Sequence, residues 1–351
     1  MPDIVEETTG AASLQALLAR HVDWWHRKGC LYAAVPHSPL SDLWLPLSNG
    51  TLATEDMTIE PADLDLDRLV GPPLEAGPLE RVGDRLSARA PYSRIPWVEA
   101  ILGCPIKATI QGGSMRTHSF ISDWSEWEKQ AVHLDDRWFD TLKQLTGMLV
   151  ARSGGRYAVV QTLMRGPSDL AEAVLGPELM CLSMYDHPES LRRFLDQVTS
   201  VFIKLLKAQL ERIPLIQGGY VNPFGVWAPG TVVRTQCDAS AFLSPSQYQE
   251  WFLPYDVRIS EAVDYAIIHL HSGSLHTVDV LLVEERPQAI QISLDPPPTG
   301  PPVETIIPIF VKILGHKSLI VDGYLTPDQV DHLQQCLPPD GRYIIAREEP
   351  W

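Results

Sequence analysis

The feature that most constrains this chain is a repeated alternation of short apolar runs with longer amphipathic stretches. A buried run of strand length followed by helical periodicity is the pattern of βα units, in which helices cover a parallel sheet. Runs suited to strands lie at 30–35, 106–110, 157–163, 232–237, 266–271, 289–294, 318–321 and 343–346. Helical spacing fills the intervals. Ser13 is placed to cap a helix carrying Leu14, Leu17, Leu18, Val22 and Trp25, which Gly29 ends. A long helix over 188–213 turns Leu191, Phe194, Leu195, Val198, Phe202, Leu205 and Leu206 inward. Further helices are predicted at 97–102, 124–150, 246–263, 275–284, 303–314 and 327–337. Eight such units in 351 residues predict an α/β protein, a single (β/α)8 TIM barrel spanning 1–351, with its chemistry at the C-terminal strand ends.

One region breaks the pattern. Residues 36–92 are rich in proline, glycine and aspartate and too long for an ordinary βα loop. Because apolar residues are sparse there, the region is predicted to be an excursion over one face of the domain, not a second core.

Composition narrows the function classes. With 45% hydrophobic and 21% charged residues the chain is expected to be soluble and globular, which excludes disordered and fibrous classes. The 28 basic residues face 44 acidic ones, and a net charge of −16 opposes binding to nucleic acid or anionic membranes. Cys30, Cys104, Cys181, Cys237 and Cys336 are dispersed and odd in number, as expected of thiols in a reducing compartment. The segment MPDIVEETTGAAS has neither a basic leader nor an apolar core, and no run approaches the ~18 apolar residues of a membrane span. A cytoplasmic protein without a membrane partner is the expectation.

On a barrel, the polar residues just after each strand are the site candidates. They are His37 and Asp42, Gln111 and His118, Arg165, Asp238, His269 with His271 and His276, Asp295, Asp322, and Arg347, Glu348 and Glu349. In HLHSGSLH, His269 and His271 stand two apart on a strand, so both imidazoles point to one side and suit a metal or acid–base work. Such a pair also serves simply to hydrogen-bond backbone groups at a strand end. In RGPSDLA, Gly166 and Pro167 allow a tight turn into a helix that Ser168 would cap; its free N–H groups, with Arg165, could receive an anionic substrate group. An ordinary βα turn accounts for that segment equally well. Asp238 is a candidate general acid or base, or a cap for the next turn. Asp295 precedes the stiff PPPTGPP loop at the rim, and Trp44 and Trp227 are the loop tryptophans considered for ligand stacking.

The segments LMRGPSDLAEAVLG, TQCDASAFLSPSQYQEWFLPY, IIHLHSG and QISLDP, in that order between residues 96 and 346, resemble the uroporphyrinogen decarboxylase superfamily. The stretch from Asp238 to Pro245, followed by Phe252 to Tyr255, is the most specific piece. The resemblance implies a (β/α)8 barrel, a homodimer and one of two chemistries. Decarboxylases of the family act on a tetrapyrrole without a cofactor and carry an Arg-Gln-Ala-Gly-Arg motif after the first strand; here PHSPLSDLWLP stands in its place and holds no arginine. The other branch transfers methyl groups with corrinoid proteins, using zinc held by His-x-Cys and a later cysteine. His269-x-His271 falls at that position with histidine for cysteine, and the last strand ends in AREEPW without the later one. The third ligand would then be an acid such as Glu348 or Asp322.

The resemblance therefore implies methyl transfer to or from a small methylated substrate with a corrinoid protein as partner. His269 and His271 would bind zinc, Asp238, His269 and His276 would carry the chemistry, and Arg165, His37, Gln111, His118 and Asp295 would contact substrate. The alternatives are cofactor-free decarboxylation of a tetrapyrrole or other carboxylate, in which Arg165 would bind the carboxylate, and a non-catalytic binding protein on a decayed barrel.

Overall fold

The computed structural model describes residues 10–36, 45–109, 114–130 and 134–348. It is a mixed α/β structure around a parallel sheet. Helix α1 (Gly10–Trp25) leads through Gly29 into strand β1 (Leu31–Val35). The short strand β2 (Ala88–Arg89) follows the long excursion, and β3 (Ile106–Thr109) pairs with β4 (Ser114–Thr117) in an antiparallel ribbon. After helix α2 (Asp136–Arg152), strand β5 (Ala158–Val159) pairs in parallel with β2. Helices α3 (Pro167–Asp186) and α4 (Pro188–Leu210) precede β6 (Val232–Gln236), β7 (Tyr265–His271) and β8 (Ala289–Ser293). Helix α5 (Val303–Leu314), β9 (Ser318–Tyr324) and β10 (Arg342–Arg347) complete the order.

The main sheet has six parallel strands in the order β1-β10-β9-β8-β7-β6, so the first strand lies beside the last. Every residue of β6 is buried, as in β-sheets covered on both faces. Helix α4 shows why the carboxy-terminal half reads so clearly: all seven apolar residues expected to turn inward are buried, on one helical stripe. Helix α3 runs for 20 residues. It continues past Gly176, which adopts φ of 77° immediately before Pro177 and kinks the helix where a residue preceding proline resists the α conformation.

The closed eight-stranded sheet expected from the sequence does not form among the described residues. Two of the eight predicted strands lie outside the main sheet. Residues 106–109 read Ile-Lys-Ala-Thr, and only Ile106 and Ala108 are buried, the period-two pattern of a ribbon with one face on the core. Of 157–163, only Ala158 and Val159 are strand. The Val160 N–H still donates to Arg89 O (3.0 Å), but beyond it the Thr162 N–H donates to Gln209 Oε1 (2.8 Å), and the Gln161 side chain bonds the Arg234 backbone. Ladder pairing is replaced by side-chain pairing at that place.

The excursion is less sparse in apolar anchors than its composition suggests. Leu45, Leu47, Ala53, Ile59, Leu64 and Val70 are buried in the same hydrophobic cluster as α4 and the sheet. Trp227, considered for ligand stacking, is buried, with its Nε1–H donating to Ile216 O (2.6 Å); Trp44 lies outside the described residues. No helix among the described residues is long and apolar enough to cross a membrane.

Gly166 joins the sheet to α3 at close quarters. Its N–H donates to Gln236 O (3.0 Å), and a Cβ there would lie 2.2 Å from that same oxygen. Gly166→Ala must push the start of α3 off the end of β6, and urea unfolding is expected to show a loss of about 1–3 kcal/mol. Wild-type stability in this variant would show that the contact is slack.

Candidate functional site

The site grows out of one row of the sheet. Parallel register places Gln236 of β6 beside His269 of β7, and His269 beside Gln291 of β8. Two residues further on, His271 stands beside Ser293. The i, i+2 spacing brings the imidazoles to one face, where their centroids are 4.8 Å apart and nearly perpendicular.

Each imidazole is held from its far nitrogen. His269 Nδ1 bonds Gln291 Oε1, and His271 Nδ1 lies 2.5 Å from Asp295 Oδ1, within hydrogen-bond distance. Both Nε2 atoms are left facing Asp238, His269 at 3.9 Å from Oδ1 and His271 at 3.9 Å from Oδ2. One ligand atom from each of Asp238, His269 and His271 falls within 4.8 Å of the others. Burial, then the charge of Arg234, pushes the His269 pKa well below the usual imidazole value, so the ring is neutral, the form that binds metals. Two imidazoles and a carboxylate are a donor set found in catalytic zinc sites and suited to other divalent transition metals.

Asp238 opens a 3-10 turn, Asp238–Phe242, directly after β6. Gln236 Nε2 donates to Asp238 Oδ2 (2.7 Å) and to Asp169 Oδ2 (3.0 Å), while Gln236 Oε1 accepts from Arg234. Asp169, on the first turn of α3, also accepts from the Ala239 N–H (2.8 Å) and the Ser168 hydroxyl (3.2 Å). Burial, reinforced by Asp238, outweighs the hydrogen bonds from Ala239 and Gln236 and pushes the Asp169 carboxyl up to about 7. Gly166, not Ser168, occupies the N-cap position of α3.

Two cavities meet at this group. The larger, about 580 Å³, is lined by His118, Arg165, Asp169, Glu172, Asp238 and Phe242, among others. The smaller, about 330 Å³, includes Cys237, Asp238, Leu270, His271, Asp295 and Thr299. Asp238 lines both. Arg165 does not stand free to take an anion: its Nη1 lies 3.3 Å from Oε1 of the buried Glu99, and it shares its cavity with three acids.

The structure thus brings Asp238, His269, His271, Asp295, Arg165 and His118 to one region. His276 is placed differently. Its Nε2 hydrogen-bonds Ser240 O (3.1 Å) and Leu243 O (3.0 Å), bracing the turn that starts at Asp238, and it lines neither cavity. His37 and Gln111 lie outside the described residues, as do Asp42 and Glu349. Asp322, expected as a third ligand, is engaged bidentately by Arg347 (2.6 and 2.8 Å), and Asp238 takes the place beside the histidines that was expected of Asp322 or Glu348. Asp169, Glu99, Gln236 and Gln291 were not among the sequence candidates. Only Asp169 had a local signal, as the acid four residues after Arg165 in the same turn.

No family model and no curated protein matches this chain. Among solved structures, a methyltransferase from Methanosarcina mazei is similar to it, with a TM-score of 0.52 and 13% identity, over 76% of this chain and 76% of that one. The likeness is one of fold.

Behind the site, Asp256 is fully buried and accepts from the Tyr248 hydroxyl (2.8 Å); burial pushes its carboxyl up to about 8. An acid raised on folding holds its proton longer in the native state, so its contribution to stability is full below about 4 and is lost as pH rises to about 8. Urea unfolding at pH 5 and pH 8 should therefore show a larger decline for wild type than for Asp256→Asn, by on the order of 1–4 kcal/mol. Equal declines would mean that Asp256 does not titrate in this window.

Proposed function

We propose that this chain is a methyl-transfer enzyme that acts on a small methylated substrate with a corrinoid protein as partner, assisted by a divalent metal, zinc first, at Asp238, His269 and His271. The observation that carries the reading is the convergence of two Nε2 atoms and a carboxylate where two cavities meet, at the C-terminal ends of parallel strands. The fold likeness to a methyltransferase supports it.

A bound metal would supply Lewis acidity toward the substrate's heteroatom. The chain's own residues do the rest. Burial keeps His269 neutral, Gln236 turns Asp238 toward the histidines, and Asp169, its carboxyl pushed up to about 7, lines the larger cavity, where it can exchange a proton with substrate. His276 keeps the Asp238 turn in place. Phe242, more than half exposed, forms an apolar part of the rim.

Decarboxylation is the weaker reading on the same geometry. It needs a cation free to hold the departing carboxylate, and Arg165 is already paired with Glu99 beside Asp169, Glu172 and Asp238.

Elemental analysis tests the proposal first. Wild-type protein should carry near-stoichiometric zinc or another transition metal, and the double variant His269→Ala, His271→Ala should lose it, together with methyl transfer to a supplied corrinoid protein by at least ~100-fold. Turnover that survives unchanged in the metal-free double variant would overturn the metal-assisted reading. Carbon dioxide release without corrinoid would replace it by decarboxylation.

A further inference from the structure

The two histidines are not held alike. His269 is buried and its Nδ1 meets an amide oxygen, that of its ladder neighbour Gln291. His271 is half-buried and its Nδ1 meets a carboxylate oxygen, Asp295 Oδ1. Asp295 is itself fixed on all sides: Oδ2 accepts from the Gly273 N–H (3.1 Å) and the Ser272 hydroxyl (3.3 Å), and its own N–H donates to Ser272 Oγ (2.9 Å). Its side chain is little exposed although it borders the smaller cavity, whereas that of His271 is 42% exposed.

We infer that Asp295 is a positioning residue for His271, not a substrate contact: it locks the Nδ1–H tautomer and aims the Nε2 lone pair at the space beside Asp238, while Gln291 does the same for His269. His271 packs edge-on against His269 and is otherwise partly exposed, so the carboxylate is the hydrogen-bonding restraint on its rotation. A ligand imidazole that donates its other N–H to an acceptor is oriented and more basic, and loss of such an acceptor typically costs 10–100-fold in metal affinity. The inference rests on the metal-assisted reading above but makes a claim of its own about the metal-free protein.

Two readouts separate the claims. In metal-free protein labelled with 15N-histidine, long-range 1H–15N correlations should show His271 protonated at Nδ1 in wild type and in Asp295→Asn, whose amide oxygen still accepts. In Asp295→Ala they should show a mixture of tautomers. Titration with Co²⁺ and Zn²⁺ against a competing chelator should give a 10–100-fold weaker Kd for Asp295→Ala and recovery of most of the affinity in Asp295→Asn. Gln291→Leu should weaken binding in the same sense through His269, and thermal unfolding of each apo variant identifies any loss of fold. An unchanged His271 tautomer in a folded Asp295→Ala, or an unchanged Kd, would overturn the positioning role. Wild-type protein that shows the tautomer pattern and binds neither ion would overturn the metal-assisted reading while the positioning role stands.

Discussion

The parallel register of β6, β7 and β8 is the constraint on which the site depends. A slip of one residue between any two of these strands would send Gln236, His269 or Gln291 to the opposite face, because side chains alternate along a strand. With the register as it is, one row across three strands supplies a residue that orients an acid, an imidazole, and a residue that orients the imidazole. The apolar positions around them, Ile267, Ile268, Ile290 and Ile292, are fully buried and make any slip costly. Hydrophobic burial therefore sets the geometry of a polar centre without touching substrate.

The polar groups of this centre are arranged in series. Arg234, buried and still cationic with its pKa lowered to about 10, donates to Gln236, which donates to both Asp169 and Asp238. Its charge also disfavours a proton on His269. One buried guanidinium thus offsets the acids on one side and keeps an imidazole neutral on the other, an economy available only where the intervening medium is poor in water. Gln236 serves because its amide has a donor and an acceptor end, and a carboxylate in its place would face two others.

The legible parts of this molecule in its sequence are those whose physics is local. Long helices such as α4 and largely buried strands such as β7, β8 and β9 declare themselves by period or by short, mainly apolar runs. The pair His269 and His271 and the acid Asp238 were visible because strand ends and two-residue spacing are local facts too. What remained hidden was set by partners far away in the chain. Gln236 and Gln291 look like ordinary polar interruptions of strands until the register joins them to His269. Glu99 comes from a helix that nothing near Arg165 announces. The strands that failed to join the main sheet have a physical reason as well: Ile106 to Thr109 alternates, and past Val160 the Thr162 N–H turns to the Gln209 side chain.

That last arrangement bears on how the molecule avoids sticking to itself. The rim of a parallel sheet presents unpaired amides and carbonyls that any extended peptide can copy. At the β6 rim, the Gln161 side chain occupies both groups of Arg234, donating to its carbonyl (2.8 Å) and accepting from its N–H (3.0 Å). A single primary amide imitates one rung of a missing neighbour, and two residues further along β6 the Gly166 N–H takes the Gln236 carbonyl (3.0 Å). The rim is closed to templated growth by an imitation of the strand that would have extended it.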